Sequence, residues 1–151
     1  MTTDIGFAKV LVAFDGSKDS SKAIRLAGSL AAKYESEVVV VHVYSSPAFG
    51  FGATSGIPIA DYHALEEAKK EASRQVLATG LRLANDEGVK ARGELIEAPS
   101  VVEALVEFAT NEKVDIIVVG TRGMTGFKKL ILGSVSTGLA NHSPCPVLIA
   151  R

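Results

Sequence analysis

The stretch Asp115-Ile-Ile-Val-Val-Gly120-Thr-Arg-Gly123-Met-Thr-Gly126 opens on a short aliphatic run and closes in a turn rich in glycine. A near-continuous β-branched run of this length fits a strand buried on both faces, as in a parallel sheet, better than a strand with one wet face. Lys9-Val-Leu-Val-Ala-Phe14, Glu37-Val-Val-Val-Val-His-Val43 and Pro146-Val-Leu-Ile-Ala150 have the same character. Lys90 to Glu97 is a weaker strand, whose Arg92 and Glu94 suit a sheet edge.

Helical patterns fill the intervals. From Ser17 to Tyr34, Ala23, Ala27, Leu30 and Tyr34 make one apolar stripe. From His63 to Asn85, Leu65, Ala68, Ala72, Val76 and Leu83 do the same. Pro99-Ser100 opens a third helix through Leu105, Phe108 and Ala109, and a fourth starts near Ser134 and ends before Pro144. This β-α-β-α-β-α-β-α-β order predicts an α/β fold: a single Rossmann-like, doubly wound sheet of five parallel strands with four helices, one domain spanning residues 1–151. The segment from Tyr44 to Tyr62, with Pro47, Gly50, Gly52, Gly56 and Pro58, breaks the rhythm. A loop this long reads as a lid over a site or as a mobile excursion, and length alone favours neither.

Composition narrows the partners. With 16 basic and 17 acidic residues in 151, the net charge is -1, without the basic excess of a nucleic-acid or anionic-membrane binder. A small anionic ligand needs only local positive potential. Cys145 is the one cysteine, so no internal disulfide or multi-cysteine metal site can form. No apolar run approaches the ~18 residues of a membrane helix, and Met1-Thr2-Thr3-Asp4 does not begin a secretion signal. The expected location is cytoplasmic. His42, His63 and His142 show no paired spacing for a metal, and His42, inside a buried strand pattern, reads as a hydrogen-bonded structural residue. Ser17, Ser20 and Ser21 read as helix-start residues, because no base is evident beside them.

In a doubly wound sheet, ligands bind beyond the carboxyl ends of the strands, where neighbouring connections leave in opposite directions. The first strand ends in Asp15-Gly16-Ser17. The fourth ends in the glycine turn, and Gly133-Ser134 stands where the last helix begins. Gly120 and Gly123 lack Cβ atoms, which lets an anion approach main-chain amides. Free N–H groups and the positive end of a helix dipole belong at Gly133-Ser134. The Ser134 hydroxyl can cap that helix or donate to a phosphate, and Arg122, Lys128 and Lys129 add cations nearby. This describes a phosphate cradle without a Walker loop. On glycine content alone, a plain turn and a plain helix cap remain the alternative.

The spacing Gly120-x2-Gly123-x9-Gly133-Ser134 resembles the nucleotide-binding signature of the universal stress protein family. Val10-Leu-Val-Ala-Phe-Asp15-Gly-Ser17 looks like that family's opening strand and acidic turn. Val40-Val-His-Val43 is similar to its second strand, and Ser143-Pro-Cys-Pro-Val-Leu-Ile149 to its closing one. The resemblance implies the family's ATP-binding branch, with ATP, ADP or AMP at the crossover between first and fourth strands and Mg2+ held by phosphates and water. By that resemblance Asp15 accepts from ribose hydroxyls, although an Asx-type turn beside Gly16 is a competing role. Val43, Ala13 and Phe14 would line the adenine pocket. Gly120, Arg122, Gly123, Gly133, Ser134, Val135 and Ser136 would surround the phosphates. The resemblance also implies a regulatory protein of the stress response and a homodimer joined near the last strand. No catalytic residue stands out, so turnover is expected to be small or absent; a slow ATPase or a nucleotidyl or phosphoryl transferase is the alternative.

Overall fold

Among the residues described by the computed structural model, 6–46, 56, 58–121 and 132–151, five strands alternate with four helices. These are β1 (Lys9–Ala13), α1 (Lys18–Tyr34), β2 (Glu37–Tyr44), α2 (Ile59–Asp86), β3 (Ala91–Glu97), α3 (Val101–Asn111), β4 (Ile116–Gly120), α4 (Ser134–His142) and β5 (Val147–Ala150). The strands form one parallel sheet in the order β3-β2-β1-β4-β5. The α/β, doubly wound architecture expected from the alternating periodicities is therefore the observed one.

Why the aliphatic runs become central strands follows from their burial. Val10, Leu11, Val12, Ile117 and Val118 are fully buried, as β-branched residues on a twice-covered sheet should be. Side chains alternate across the sheet with the two-residue period of a strand. Val10, Val12, Val38, Val40, Ile116 and Val118 meet Ala23, Ile24 and Ala27 of α1 and Ala84 of α2. Leu11, Val39, Val41, Ile117 and Val119 meet Leu105 and Ala109 of α3 and Leu139 of α4. The first two helices thus cover one face and the last two the other. Ser17 caps α1 by accepting from the Ser20 amide at 3.1 Å, and Ser100 caps α3 by accepting from the Glu103 amide at 3.3 Å.

β3 is an edge, as its charges suggested. Arg92 there reaches Glu94 at 2.6 Å, Glu112 at 3.2 Å and Glu37 at 3.3 Å. Desolvation alone would weaken its hold on a proton. The bond to Glu37 and the surrounding carboxylates outweigh that and raise the guanidinium pKa. A charged, ion-paired edge discourages pairing with another strand.

Two expectations need correction. Helix α2 begins at Ile59, one turn before His63, with Pro58 as its N-cap. Its predicted stripe is also only half right. Leu65 is 47% exposed and Ala68 and Ala72 are exposed too, while Val76, Leu77, Leu81, Leu83 and Ala84 pack on the sheet. Periodicity reveals a helix, but the sheet decides which turns of it find a partner. The lid-or-excursion segment falls largely on 47–55 and 57, outside the described residues.

Phe14 and Gly80 fit together as knob and hole. The Phe14 ring is buried, and a Cβ built on Gly80 would lie 2.7 Å from Phe14 Cδ1 and 3.0 Å from Cε1. Gly80 therefore admits an aromatic ring against the α2 backbone. We predict that Gly80→Val destabilises the protein by about 1–3 kcal/mol, read from the urea midpoint; an unchanged midpoint would contradict the packing.

Candidate functional site

The chain leaves β1 to form α1 on one face, whereas α4, which follows β4, lies on the other. Neighbouring strands with diverging connections leave a crevice at their carboxyl ends. A cleft of about 260 Å³ lies there, just below the ~300–1,000 Å³ typical of ligand pockets. Ala13, Phe14 and Asp15 line it from β1, Val41, His42 and Val43 from β2, and Val119, Gly120 and Thr121 from β4. Gly133, Ser134, Val135 and Ser136 close it from α4, and Val101 and Leu105 from α3.

Asp15 follows β1, and Gly16 takes a left-handed conformation (φ +87°) that lets the chain turn into α1. Asp15 Oδ1 accepts from the Ser17 amide at 2.9 Å, which is the Asx-type turn. Oδ2 makes no hydrogen bond among the described residues, so one oxygen shapes the turn and the other is uncommitted on a residue that lines the cleft. The Phe14 ring is committed to the core against Gly80 rather than standing as a plate for a base.

Val43 contributes main chain. The Phe14 amide donates to the Val41 carbonyl at 2.9 Å, so odd-numbered β2 residues present their amides and carbonyls toward β1. The Ala98 amide donates to the Tyr44 carbonyl at 3.0 Å, so even-numbered ones face β3. The β1–β2 register ends at Ala13 opposite Val41. Beyond it the Val43 N–H and C=O face the cleft.

Gly120 is glycine for an internal reason. A Cβ there would lie 2.7 Å from the Asp19 carbonyl carbon and 2.9 Å from the Ser20 amide nitrogen. The first turn of α1 crosses so close that no side chain fits. The close approach of α1 is thus a reason for glycine here beside the anion contact expected from the sequence.

Thr121, which the sequence did not single out, ties the site together. Its amide donates to the Ala150 carbonyl at 3.0 Å, and its carbonyl accepts from the Gly133 amide at 2.6 Å and the Ser136 hydroxyl at 3.1 Å. Its own hydroxyl donates to Asp19 Oδ2 at 2.5 Å. One residue thus joins β4, β5, α1 and the start of α4. The only signal in sequence was its place directly after the strand-ending glycine. Leu105 was legible as a helix residue but not as cleft wall, and Val101 was not singled out.

The α4 terminus also departs from expectation. Its N-cap is Gly133, which provides no side-chain cap, and Ser134 is an exposed first helical residue rather than a cap. The first turn closes with the Thr137 amide on the Gly133 carbonyl at 3.0 Å. Among the described residues, no side chain accepts from the amides of Ser134, Val135 and Ser136, which stand at the positive end of the helix dipole and on the cleft. Ser136 is buried and its hydroxyl is directed at the Thr121 and Gly133 carbonyls, so it offers the cleft its amide rather than its hydroxyl. Arg122, Gly123, Lys128 and Lys129 lie outside the described residues.

The profile of the universal stress protein family matches residues 6–151, and the chain belongs to that family. It is 32% identical to a universal stress protein of Methanocaldococcus jannaschii over 146 residues, covering 96% of this chain and 82% of the relative. It is also 32% identical to YxiE of Bacillus subtilis over 151 residues, covering 96% and 99%. Among solved structures, UspA from Lactobacillus plantarum shares the fold with a TM-score of 0.78 at 17% identity, covering 97% of this chain and 99% of that one. A universal stress protein in complex with cAMP aligns with a TM-score of 0.66 at 27% identity, covering 97% and 98%. An Archaeoglobus fulgidus member in complex with dAMP has the same fold, with a TM-score of 0.65 at 21% identity, covering 97% and 99%.

The two roles for Gly120 differ in their consequences. We predict that Gly120→Ala lowers the stability of the ligand-free protein by about 1–3 kcal/mol, because the obstructing atoms are helix backbone. Full stability with loss of binding alone would show that the approach of α1 does not require the glycine.

Proposed function

We propose that this protein binds an adenine nucleotide, ATP or its mono- or diphosphate, in the cleft at the ends of β1, β2 and β4, as the ATP-binding branch of its family does. The observation that carries the reading is the α4 N-terminus. Among the described residues it has three main-chain amides without a side-chain cap on the same cleft as Asp15; α1 and α3 are capped by Ser17 and Ser100, and α2, which also lacks a side-chain cap, contributes no residue to that cleft. An anion at that terminus supplies the acceptors the helix lacks and interacts favourably with its dipole. Asp15 Oδ2 suits ribose hydroxyls, which donate to a carboxylate. The Val43 amide and carbonyl, with Ala13 and the Phe14 main chain beside them, suit the edge of adenine. The apolar wall of Val101, Leu105 and Val119 suits a base plane. Gly120, Gly133, Ser134, Val135 and Ser136 surround the phosphates, joined by Arg122 and Gly123, which follow Thr121 in sequence. Mg2+ is carried on the phosphates and water rather than by a protein ligand set.

Turnover is small or absent in this reading. Asp15 and His42 are the titratable side chains on the cleft among the described residues, and each already holds a main-chain partner. Occupancy therefore acts as a signal, changing affinity for a stress-response partner in the cytoplasm. Protein purified without added nucleotide, then denatured, should release an adenine nucleotide detectable by mass spectrometry, and added ATP should survive prolonged incubation intact. Gly123→Val should abolish binding while leaving the circular dichroism spectrum unchanged. No binding at millimolar nucleotide with Mg2+ would refute the module, and rapid hydrolysis would favour the enzyme.

We further propose a homodimer paired along β5. That strand ends the sheet, and Val147, Leu148 and Ile149 on it are only partly buried. A second copy would satisfy its outward backbone groups and cover its side chains. Light scattering at micromolar concentration should give twice the chain mass; a monomer would overturn the pairing.

A further inference from the structure

His42 occupies a hydrogen-bond acceptor that the sheet would otherwise use. In a parallel ladder, the Phe14 amide bonding the Val41 carbonyl at 2.9 Å calls for the reciprocal bond, Val43 N–H to the Phe14 carbonyl. That bond is not made. The Phe14 carbonyl is met instead by His42 Nδ1 at 2.9 Å. A carbonyl only accepts, so Nδ1 carries the proton. Phe14 is held from the other side as well, because its buried ring fills the hole at Gly80.

We propose that His42 is a positioning residue for the nucleotide site. By capping the Phe14 carbonyl with its imidazole, it ends the β1–β2 ladder one rung early and keeps the Val43 amide open to the ligand. The proposal rests on the adenine-nucleotide reading for its ligand, but the ladder's end is a property of the empty protein. His42 need not touch the base. Its effect passes through two main-chain groups, the Phe14 carbonyl it covers and the Val43 amide it leaves exposed.

Two substitutions separate this role from ordinary packing. In His42→Leu the donor is gone, the Phe14 carbonyl is released, and the extra rung can form. In His42→Asn the Nδ2 donor is attached to Cγ, as Nδ1 is in histidine, so the carbonyl stays covered. Nuclear magnetic resonance on the ligand-free, full-length chain should show the Val43 amide exchanging much faster than those of Val39 and Val41, with no coupling across a hydrogen bond to the Phe14 carbonyl carbon. In His42→Leu that coupling should appear and exchange should slow, with AMP affinity falling roughly tenfold, the scale of one buried hydrogen bond lost to the ligand. His42→Asn should restore both readouts.

A coupling between Val43 and Phe14 in the wild type overturns the proposal, and that measurement decides it even if His42→Leu does not fold. So does weaker AMP binding in His42→Leu without Val43 protection, or a failure of His42→Asn to restore affinity, since both mark simple loss of packing. If the wild type binds no adenine nucleotide, the functional reading fails, and the exchange comparison still decides whether His42 ends the ladder.

Discussion

The helix that follows β1 and the helix that follows β4 pack on opposite faces of one sheet, and the cleft exists because the layer cannot close over the line where they part. Ala23, Ile24 and Ala27 anchor α1 beneath Val10 and Val12, while Leu139 anchors α4 against the opposite face. Both faces are buried hydrocarbon, so neither helix can cross the boundary without exposing core. What lines the crevice is therefore largely strand ends and a helix start, where main-chain amides and carbonyls are least satisfied. A protein of net charge -1 can hold an anion on such groups without a basic surface.

Holding that crevice in shape takes close packing behind it. Gly120 lets α1 press against the end of β4, and Gly80 lets Phe14 lock the end of β1 to α2. Thr121 then fastens the returning chain at Gly133 and Ser136, and its hydroxyl bond to Asp19 joins that region to α1. Side chains in this neighbourhood act mainly on backbone: Asp15 on the Ser17 amide, His42 on the Phe14 carbonyl, Ser136 on the Thr121 carbonyl. A site of this design tolerates varied side chains at its rim and little change in the residues that set the backbone.

The order of elements was legible because strands and helices carry different periods, and burial on both faces gives the central strands their unbroken aliphatic runs. The start of α2 was not, because Ile59 to Asp61 are exposed and lie ahead of Leu65, the first residue of the apolar stripe. The switch point followed from the alternating order, and Asp15, Gly120 and Gly133, singled out in the sequence, line its cleft. The reasons for individual residues did not. Nothing in the letters distinguishes a glycine bared for a ligand from one bared for the first turn of α1. The same holds for Ser134, which looks like a cap until Gly133 is seen in that place. Thr121 and His42 act through main-chain partners distant in sequence, Ala150 and Phe14, which only the folded sheet brings near.

That main-chain amides at the α4 terminus and the end of β2 form the binding surface is tested most directly by titrating AMP into isotopically labelled protein and following amide resonances. The amides of Ser134, Val135, Ser136 and Val43 should shift together and saturate with one affinity, while those of β3 stay in place. Saturable shifts centred on β3, or none at the α4 terminus, would contradict it.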